Sequence, residues 1–321
     1  MKSGALGLAQ RFQSSAAVVL MYHSVLDDPR ECADSIGIES IHSTDNFRKQ
    51  MEILARYCNV VTLDDIRLYL TKDRAMPRRP VAVTFDDGYA DNAEIAAPVL
   101  DRLGIQASFY VTVEAVDTGR SPWFCPLRHA FTTARRQTWS DSTGRIWDLN
   151  DVGQRESAIE EASGHLTRLA GSAQHGALQA LERDLEPEPF SPRRPLMMTW
   201  EQARGLRRGG HVVGSHSLTH PNMAHIADDV LRRELTESKR KIETELAMPV
   251  VHFSYPAAAL RVSWTQQTVA ASAQAGYQTA VTTTNGVVTR TSNPLSLCRL
   301  GAPSDLEEFR WMVQSAVLKF S

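Results

Sequence analysis

The sequence has few cysteines and pairs none of them locally. Cys32, Cys58, Cys125 and Cys298 lie far apart, and no CxxC unit occurs. That excludes a zinc knuckle or a dithiol redox motif and points to free thiols in a reducing compartment. No charge of one sign dominates: 35 Lys and Arg stand against 37 Asp and Glu, a formal net charge of -2. The balance gives no electrostatic reason to expect a nucleic acid or an anionic membrane as partner. Long hydrophobic runs are missing too, and no stretch approaches the roughly 20 apolar residues that cross a bilayer. The first apolar run, residues 16–22, is short and meets polar His23 and Ser24 at once. It lacks a separate small-residue cleavage site and does not read as a secretory signal. These absences make a cytoplasmic enzyme the expectation, with peripheral attachment to a membrane left open. No repeat or low-complexity tract is visible. With 42% hydrophobic and 22% charged residues over 321 positions, the chain can bury a large core. A disordered chain, a disulfide miniprotein and a simple basic binder are excluded.

What is present is a rhythm of short apolar runs and longer helical patterns. Residues 17–21 and 80–85 read as buried strands, as do 107–111, 211–214, 250–254, 279–281 and 297–300. Phe47, Met51 and Leu54 make a helical stripe capped by Thr44 or Asp45. Further helices are expected from Thr62, over 92–103 with Gly104 as the stop, and over 199–208, 227–246, 263–276 and 304–320. Strands separated by crossover-length helices imply parallel pairing with helices outside. Seven or so such units suit a closed α/β barrel. Residues 114–195 break the rhythm, with Trp123, Trp139 and Trp147, a helical run over 155–169 and a proline-rich stretch at 186–189. A long excursion of this kind reads as an insertion capping one end of the fold, or shaping its substrate site. Removing it leaves roughly 240 residues, about one α/β barrel. The expectation is therefore a single domain, 1–321, with the insertion 114–195 inside it.

Two local patterns carry chemistry. In Thr84-Phe85-Asp86-Asp87-Gly88-Tyr89, an apolar strand delivers two adjacent carboxylates and then a glycine that permits a sharp turn. One carboxylate can bind a metal while its neighbour takes a proton. An Asx-type turn with two solvated aspartates is the plain alternative. In Gly214-Ser215-His216-Ser217-Leu218-Thr219-His220, the i,i+4 spacing can converge two imidazoles. A pair of satisfied loop histidines is the plain alternative there. Two histidines and one carboxylate make a facial metal site with positions left for water and substrate.

With these motifs the chain resembles the polysaccharide deacetylase family, the carbohydrate esterases with a NodB-type domain. Residues 84–89 resemble its first motif and His216–His220 its second. The stretch 252–256, ending in Tyr255-Pro256, resembles the start of its third. Leu20-Met21-Tyr22-His23-Ser24, Phe47-Arg48-Lys49-Gln50-Met51 and Val61-Thr62-Leu63 resemble the branch acting on poly-N-acetylglucosamine. The resemblance implies a distorted (β/α)7-type barrel. It also implies that Asp87, His216 and His220 ligate a divalent metal, commonly zinc, and that Asp86 is the general base. The family's usual C-terminal leucine-x-x-histidine is missing, since no histidine follows His252. The resemblance to the branch makes His23 the candidate acid, and a core histidine is the plain alternative. A backbone N–H near Tyr89 would serve the oxyanion, with Tyr255 and Pro256 at the substrate. Ala257-Ala258-Ala259 departs from the family's aromatic and glycine, which implies a wider or differently shaped sugar pocket. The implied reaction removes the N-acetyl group from an N-acetylated sugar, in a glycan or in a lipid- or nucleotide-linked precursor. Two other readings stay open: a hydrolase of a small non-sugar amide or cyclic imide, and a non-catalytic carbohydrate-binding protein.

Overall fold

The computed structural model describes residues 16–71, 73–257 and 260–318. The expected end of the last helix at 320, and Ala258 and Ala259, lie outside the described residues. Seven strands form a ring: β1 (Ala16–Tyr22), β2 (Pro80–Phe85), β3 (Ser108–Val111), β4 (Val212–Ser215), β5 (His252–Ser254), β6 (Thr279–Asn285) and β7 (Leu297–Gly301). Each pairs in parallel with the next in sequence, and β7 returns to β1 with Leu300 opposite Leu20. The sheet is thus a closed, distorted (β/α)7-type barrel. Its irregular places are β4–β5, which share the single register pair Ser215–Phe253, and β6–β7, where register shifts between Val281 and Asn285.

Side-chain alternation divides each strand between two environments. Val18, Leu20 and Tyr22 of β1 join Val83, Phe85 and Phe109 in the layer under the helices. Ala17, Val19, Ala82, Tyr110, Val281 and Leu297 form a second cluster on the other face of the strands. The helices follow the expected periodicity. α1 (Thr44–Tyr57) buries Phe47, Met51 and Leu54, but its cap is Ser43, whose Oγ accepts from Asn46 N at 3.2 Å. Ser43 has the extended backbone a cap needs, whereas Thr44 is already helical. α2 (Leu63–Leu70) starts from a reciprocal capping box between Thr62 and Asp65. The 92–103 pattern opens with a wide π-helical turn, Asn92–Ala96, before α3 (Ala97–Arg102).

Segment 114–195 holds most of α4 (Val113–Thr118), then α5 (Phe124–Thr132), α6 (Val152–Leu166), α7 (Gly171–Leu185) and the hairpin Thr138–Ser140 with Ile146–Asp148. Trp123, Leu127, Phe131, Trp147, Leu166 and Leu185 make a hydrophobic cluster of its own. α7 is a second long helix where the sequence suggests one; it begins at Gly171 without a side-chain cap. α8 (Trp200–Arg208), α9 (Asp228–Leu246), α10 (Gln266–Gln274) and α11 (Leu306–Leu318) complete the outer layer. All four cysteines are free. Among the described residues no helix is long and apolar enough to cross a membrane.

Candidate metal centre and catalytic site

The candidate residues gather where β1, β2, β4 and β5 end, the face on which parallel barrels build their sites. Inward alternation along β2 runs Ala82, Thr84, Asp86. Asp86 N donates to Tyr22 O at 3.0 Å, which ties the start of the motif to β1. The chain then turns sharply. Asp87 has φ 72°, Gly88 has φ 84°, and Gly88 N donates to Asp86 O at 2.9 Å. A Cβ on Gly88 would lie 3.2 Å from three atoms of Val111, so both space and dihedral call for glycine there.

The loop after β4 turns as sharply, with positive φ at Ser217 (70°) and His220 (61°). The turn brings both imidazoles to Asp87. His216 Nε2 lies 3.4 Å and His220 Nε2 3.3 Å from the same oxygen, Asp87 Oδ1. One ligand atom from each of the three lies within 4.8 Å of the others, and all three residues are buried. His216 Nδ1 sits 2.8 Å from Ser254 O. A carbonyl can only accept, so Nδ1 carries the hydrogen, and in the neutral ring Nε2 turns its lone pair toward the carboxylate. Two imidazoles and one carboxylate converging this closely make a donor set that suits a divalent cation.

Burial pushes the Asp87 carboxyl up, yet the contacts with His216 and His220 outweigh it and hold the group well below the usual range. Burial also pushes both imidazoles down. The Asp86 and Asp87 carboxylates more than reverse this at His216, while at His220 burial prevails.

Asp86 has a partner that the motif does not reveal. Arg299, on the inward face of β7, donates from Nη1 to Oδ1 at 2.9 Å and from Nη2 to Oδ2 at 2.6 Å. The same guanidinium bonds Thr84 Oγ1, Ser254 Oγ and Thr282 O. Burial raises the Asp86 carboxyl, but Arg299 and His216 pull it down further, so the net shift is below its ordinary value. The available signal was the alternation Leu297-Cys298-Arg299-Leu300, which points a cation into the barrel.

His23, half-buried between β1 and the strand Ser24–Leu26, acts electrostatically on both Asp86 and Asp87. Its carbonyl accepts from Asn92 Nδ2 at 2.7 Å. Asp91 grips the following residues, accepting from Ser24 Oγ at 2.8 Å and Val25 N at 2.9 Å. The Tyr89 hydroxyl lies 3.8 Å from Cys125 Sγ in the interior. Around Tyr89 the bridge to Met197 is made by Ala90 N to Leu196 O and Met198 N to Gly88 O, which leaves the Tyr89 N–H outside it.

The expectation for Tyr255 needs correction. Its side chain is fully buried, and its hydroxyl bonds Ser272 Oγ and Leu295 O, both at 3.0 Å. Only backbone at Tyr255 could meet a substrate, and the Pro256 that follows it is buried as well. Segment 114–195 adds a wall. Trp123 Nε1 donates to His220 O at 2.9 Å, and the Phe124 ring lies 4.8 Å from the His220 ring. A cavity of about 450 Å³, lined in part by Trp123, runs between α7 and the α4–α5 turn. It touches Thr219 but none of the Asp–His–His trio.

The sequence pattern of the polysaccharide deacetylase family matches residues 73–280, well over half of the chain. YxkH of Bacillus subtilis (strain 168), which carries the polysaccharide deacetylase name, is 21% identical over 287 residues, covering 88% of this chain and 70% of its own. Among solved structures, the Streptococcus pyogenes deacetylase PplD in complex with acetate aligns with a TM-score of 0.62 at 17% identity. That alignment covers 94% of this chain and 98% of PplD. IcaB from Ammonifex degensii aligns with a TM-score of 0.60 at 19% identity, covering 95% and 98%. At these identities the structures share the fold.

Proposed function

Because the chain belongs to the polysaccharide deacetylase family, we propose that it is a divalent-metal-dependent N-deacetylase acting on an N-acetylated sugar of a glycan. One observation carries this: Asp87, His216 and His220 converge beside a second carboxylate, Asp86, that Arg299 holds in a fork. An idle carbohydrate-binding fold has no need of a buried trio of ligand groups next to an oriented base.

Asp87 Oδ1, His216 Nε2 and His220 Nε2 would hold the metal, zinc by the donor set. When bound, the metal supplies Lewis acidity for the attacking water and for the acetamide carbonyl. Asp86 is the base. It is ionised at neutral pH and takes the proton of the water as the new C–O bond forms. The Tyr89 N–H donates to the carbonyl oxygen as negative charge grows there. His23 delivers a proton to the nitrogen as the C–N bond breaks, because an unprotonated amine leaves badly. Acetate and a free amino sugar are the products. Phe124 offers an apolar wall for the sugar or its acetyl methyl.

The test is acetate release from N-acetylglucosamine oligomers, with chelation and readdition of Zn²⁺. Activity that vanishes with chelator, returns with metal and is lost in Asp86→Asn and His23→Ala supports the reading. No acetate from any N-acetylated saccharide in metal-loaded enzyme, with turnover of a simple amide or cyclic imide, overturns the substrate. Full activity in His23→Ala removes that residue from the role of acid.

A further inference from the structure

We infer that Glu234, on α9, is a positioning residue that sets the geometry of the His216–His220 loop for metal binding. The inference rests on reading Asp87, His216 and His220 as metal ligands.

Glu234 sits in a helix rich in charged residues, yet it is only 3% exposed. Its carboxylate reaches the loop between the two histidines. Oε2 accepts from Leu218 N at 2.8 Å and from Thr219 N at 2.9 Å, and Oε1 accepts from Thr219 Oγ1 at 2.6 Å. Two successive N–H groups aimed at one oxygen form an anion-binding concavity, here filled by a side chain. One helical turn further, Ser238 faces the same loop. Ser215 Oγ donates to Ser238 Oγ at 2.9 Å and accepts from Ser217 N at 3.2 Å. Ser217 Oγ in turn accepts from His220 N at 2.9 Å.

The loop carbonyls are held from the other side. Val113 N donates to Ser217 O, Glu114 N to Leu218 O and Trp123 Nε1 to His220 O. The amides of residues 217–220 are therefore satisfied by side chains, those of 218 and 219 by Glu234 alone. His220 and Ser217 both carry positive φ, a conformation that persists only where the surroundings over-determine it. Removing the carboxylate leaves the buried Thr219 amide and the half-buried Leu218 amide without an acceptor, and the turn that brings His220 to Asp87 loses its clamp.

The test is titration of metal-free protein with Co²⁺ and Zn²⁺ in chelator competition, with the Co²⁺ absorption spectrum as a reporter of ligand geometry. Glu234→Ala should raise the Kd for both metals by about 10–100-fold and alter the Co²⁺ spectrum. Glu234→Gln should stay within about threefold, because its oxygen still accepts both amides and its NH₂ can donate to the Thr219 hydroxyl. Should the Ala variant fail to fold, Glu234→Asp decides: one methylene shorter, it should raise the Co²⁺ Kd by about tenfold in a protein with unchanged circular dichroism. Unchanged affinity in the Ala or Asp variant overturns the inference, as does a Gln variant as weak as the Ala variant. Failure of the wild-type protein to bind either metal overturns the ligand reading instead.

Discussion

Arg299 and Asp86 meet as a buried two-pronged ion pair across 213 positions of sequence. Neither side chain is more than 3% exposed. Removing one partner of such a pair strands a charge in the interior and costs about 3–5 kcal/mol. Arg299→Met is expected to destabilise the protein by that order in urea denaturation. Arg299→Lys keeps a point charge but cannot reproduce the fork and the bonds to Thr84, Ser254 and Thr282. It should stay folded with kcat reduced by about 10²-fold and metal content unchanged, since its effect falls on Asp86, the proposed base, and not on Asp87, His216 and His220. Because the Asp86 carboxyl is lowered in the fold, its stabilisation is present above the unfolded carboxyl's 3.8 and lost as pH falls below it. Arg299→Lys activity equal to wild type would show that the fork does not orient Asp86.

Asp91 is predicted to act on stability in the opposite sense. Burial, its largest influence, lifts the carboxyl from 3.8 to about 6 despite bonds from Val25, Ser24 and Asn92. Between those values the folded chain holds a proton that the unfolded chain releases. Stability therefore falls as pH rises from about 4 to about 6, by at most about 1.4 kcal/mol per pH unit, and is level above. Asp91→Asn can make the same three bonds, with its oxygen toward Val25 N and Asn92 and its NH₂ toward Ser24, and takes up no proton there. The difference in unfolding free energy, variant minus wild type, should climb from pH 4 to 6 and then plateau. His42 works the other way, its imidazole being pushed down by burial from 6.5 to about 4. Its stabilisation is present above 6.5 and lost as pH falls through about 4, in both proteins alike, so it cancels from the difference. A difference flat from pH 4 to 8 would refute the assignment.

The two halves of the site differ in how visible they are in the sequence. Asp86, Asp87, His216 and His220 can be read because each pair is delivered by one strand and one turn, so local spacing carries the geometry. The order of strands around the ring is also legible, since each parallel pair joins consecutive units. Arg299 and Glu234 escape local reading, because their partners are brought near only by closure of the barrel and docking of α9. A trace of each remains. Arg299 occupies an inward position of β7, and Glu234 falls on the stripe of Leu231, Leu235, Ser238 and Ile242 that α9 buries. In a helix so rich in charge, a buried Glu looks like a solvated one. The Tyr255 expectation failed for a related reason: a motif gives the position of a residue, and packing decides where its hydroxyl goes.

Gly214 ties the interior of the barrel to the His216–His220 loop and gives the sharpest steric prediction. It lies in β4 two residues before His216, where a Cβ would fall 2.7 Å from two ring carbons of Tyr110 and 2.8 Å from His252 O. The tyrosine is buried inside the barrel and the carbonyl is part of β5, so neither is a flexible side-chain end free to retreat. Gly214→Ala must push β3 and β5 away from β4, an overpacking cost of about 1–3 kcal/mol or more. The displacement also moves Ser215, hence the hydroxyl that receives Ser217 N at the base of the loop. Lower stability and weaker Co²⁺ binding are therefore expected together. Gly301→Ala is the matched control. It too lies at the end of a barrel strand, but its Cβ would meet nothing nearer than Met21 Cε at 3.8 Å, and its change should be within about 0.5 kcal/mol. If urea denaturation finds the two substitutions equally mild, the contact between Tyr110 and β4 is not the close fit on which the register of His216 depends.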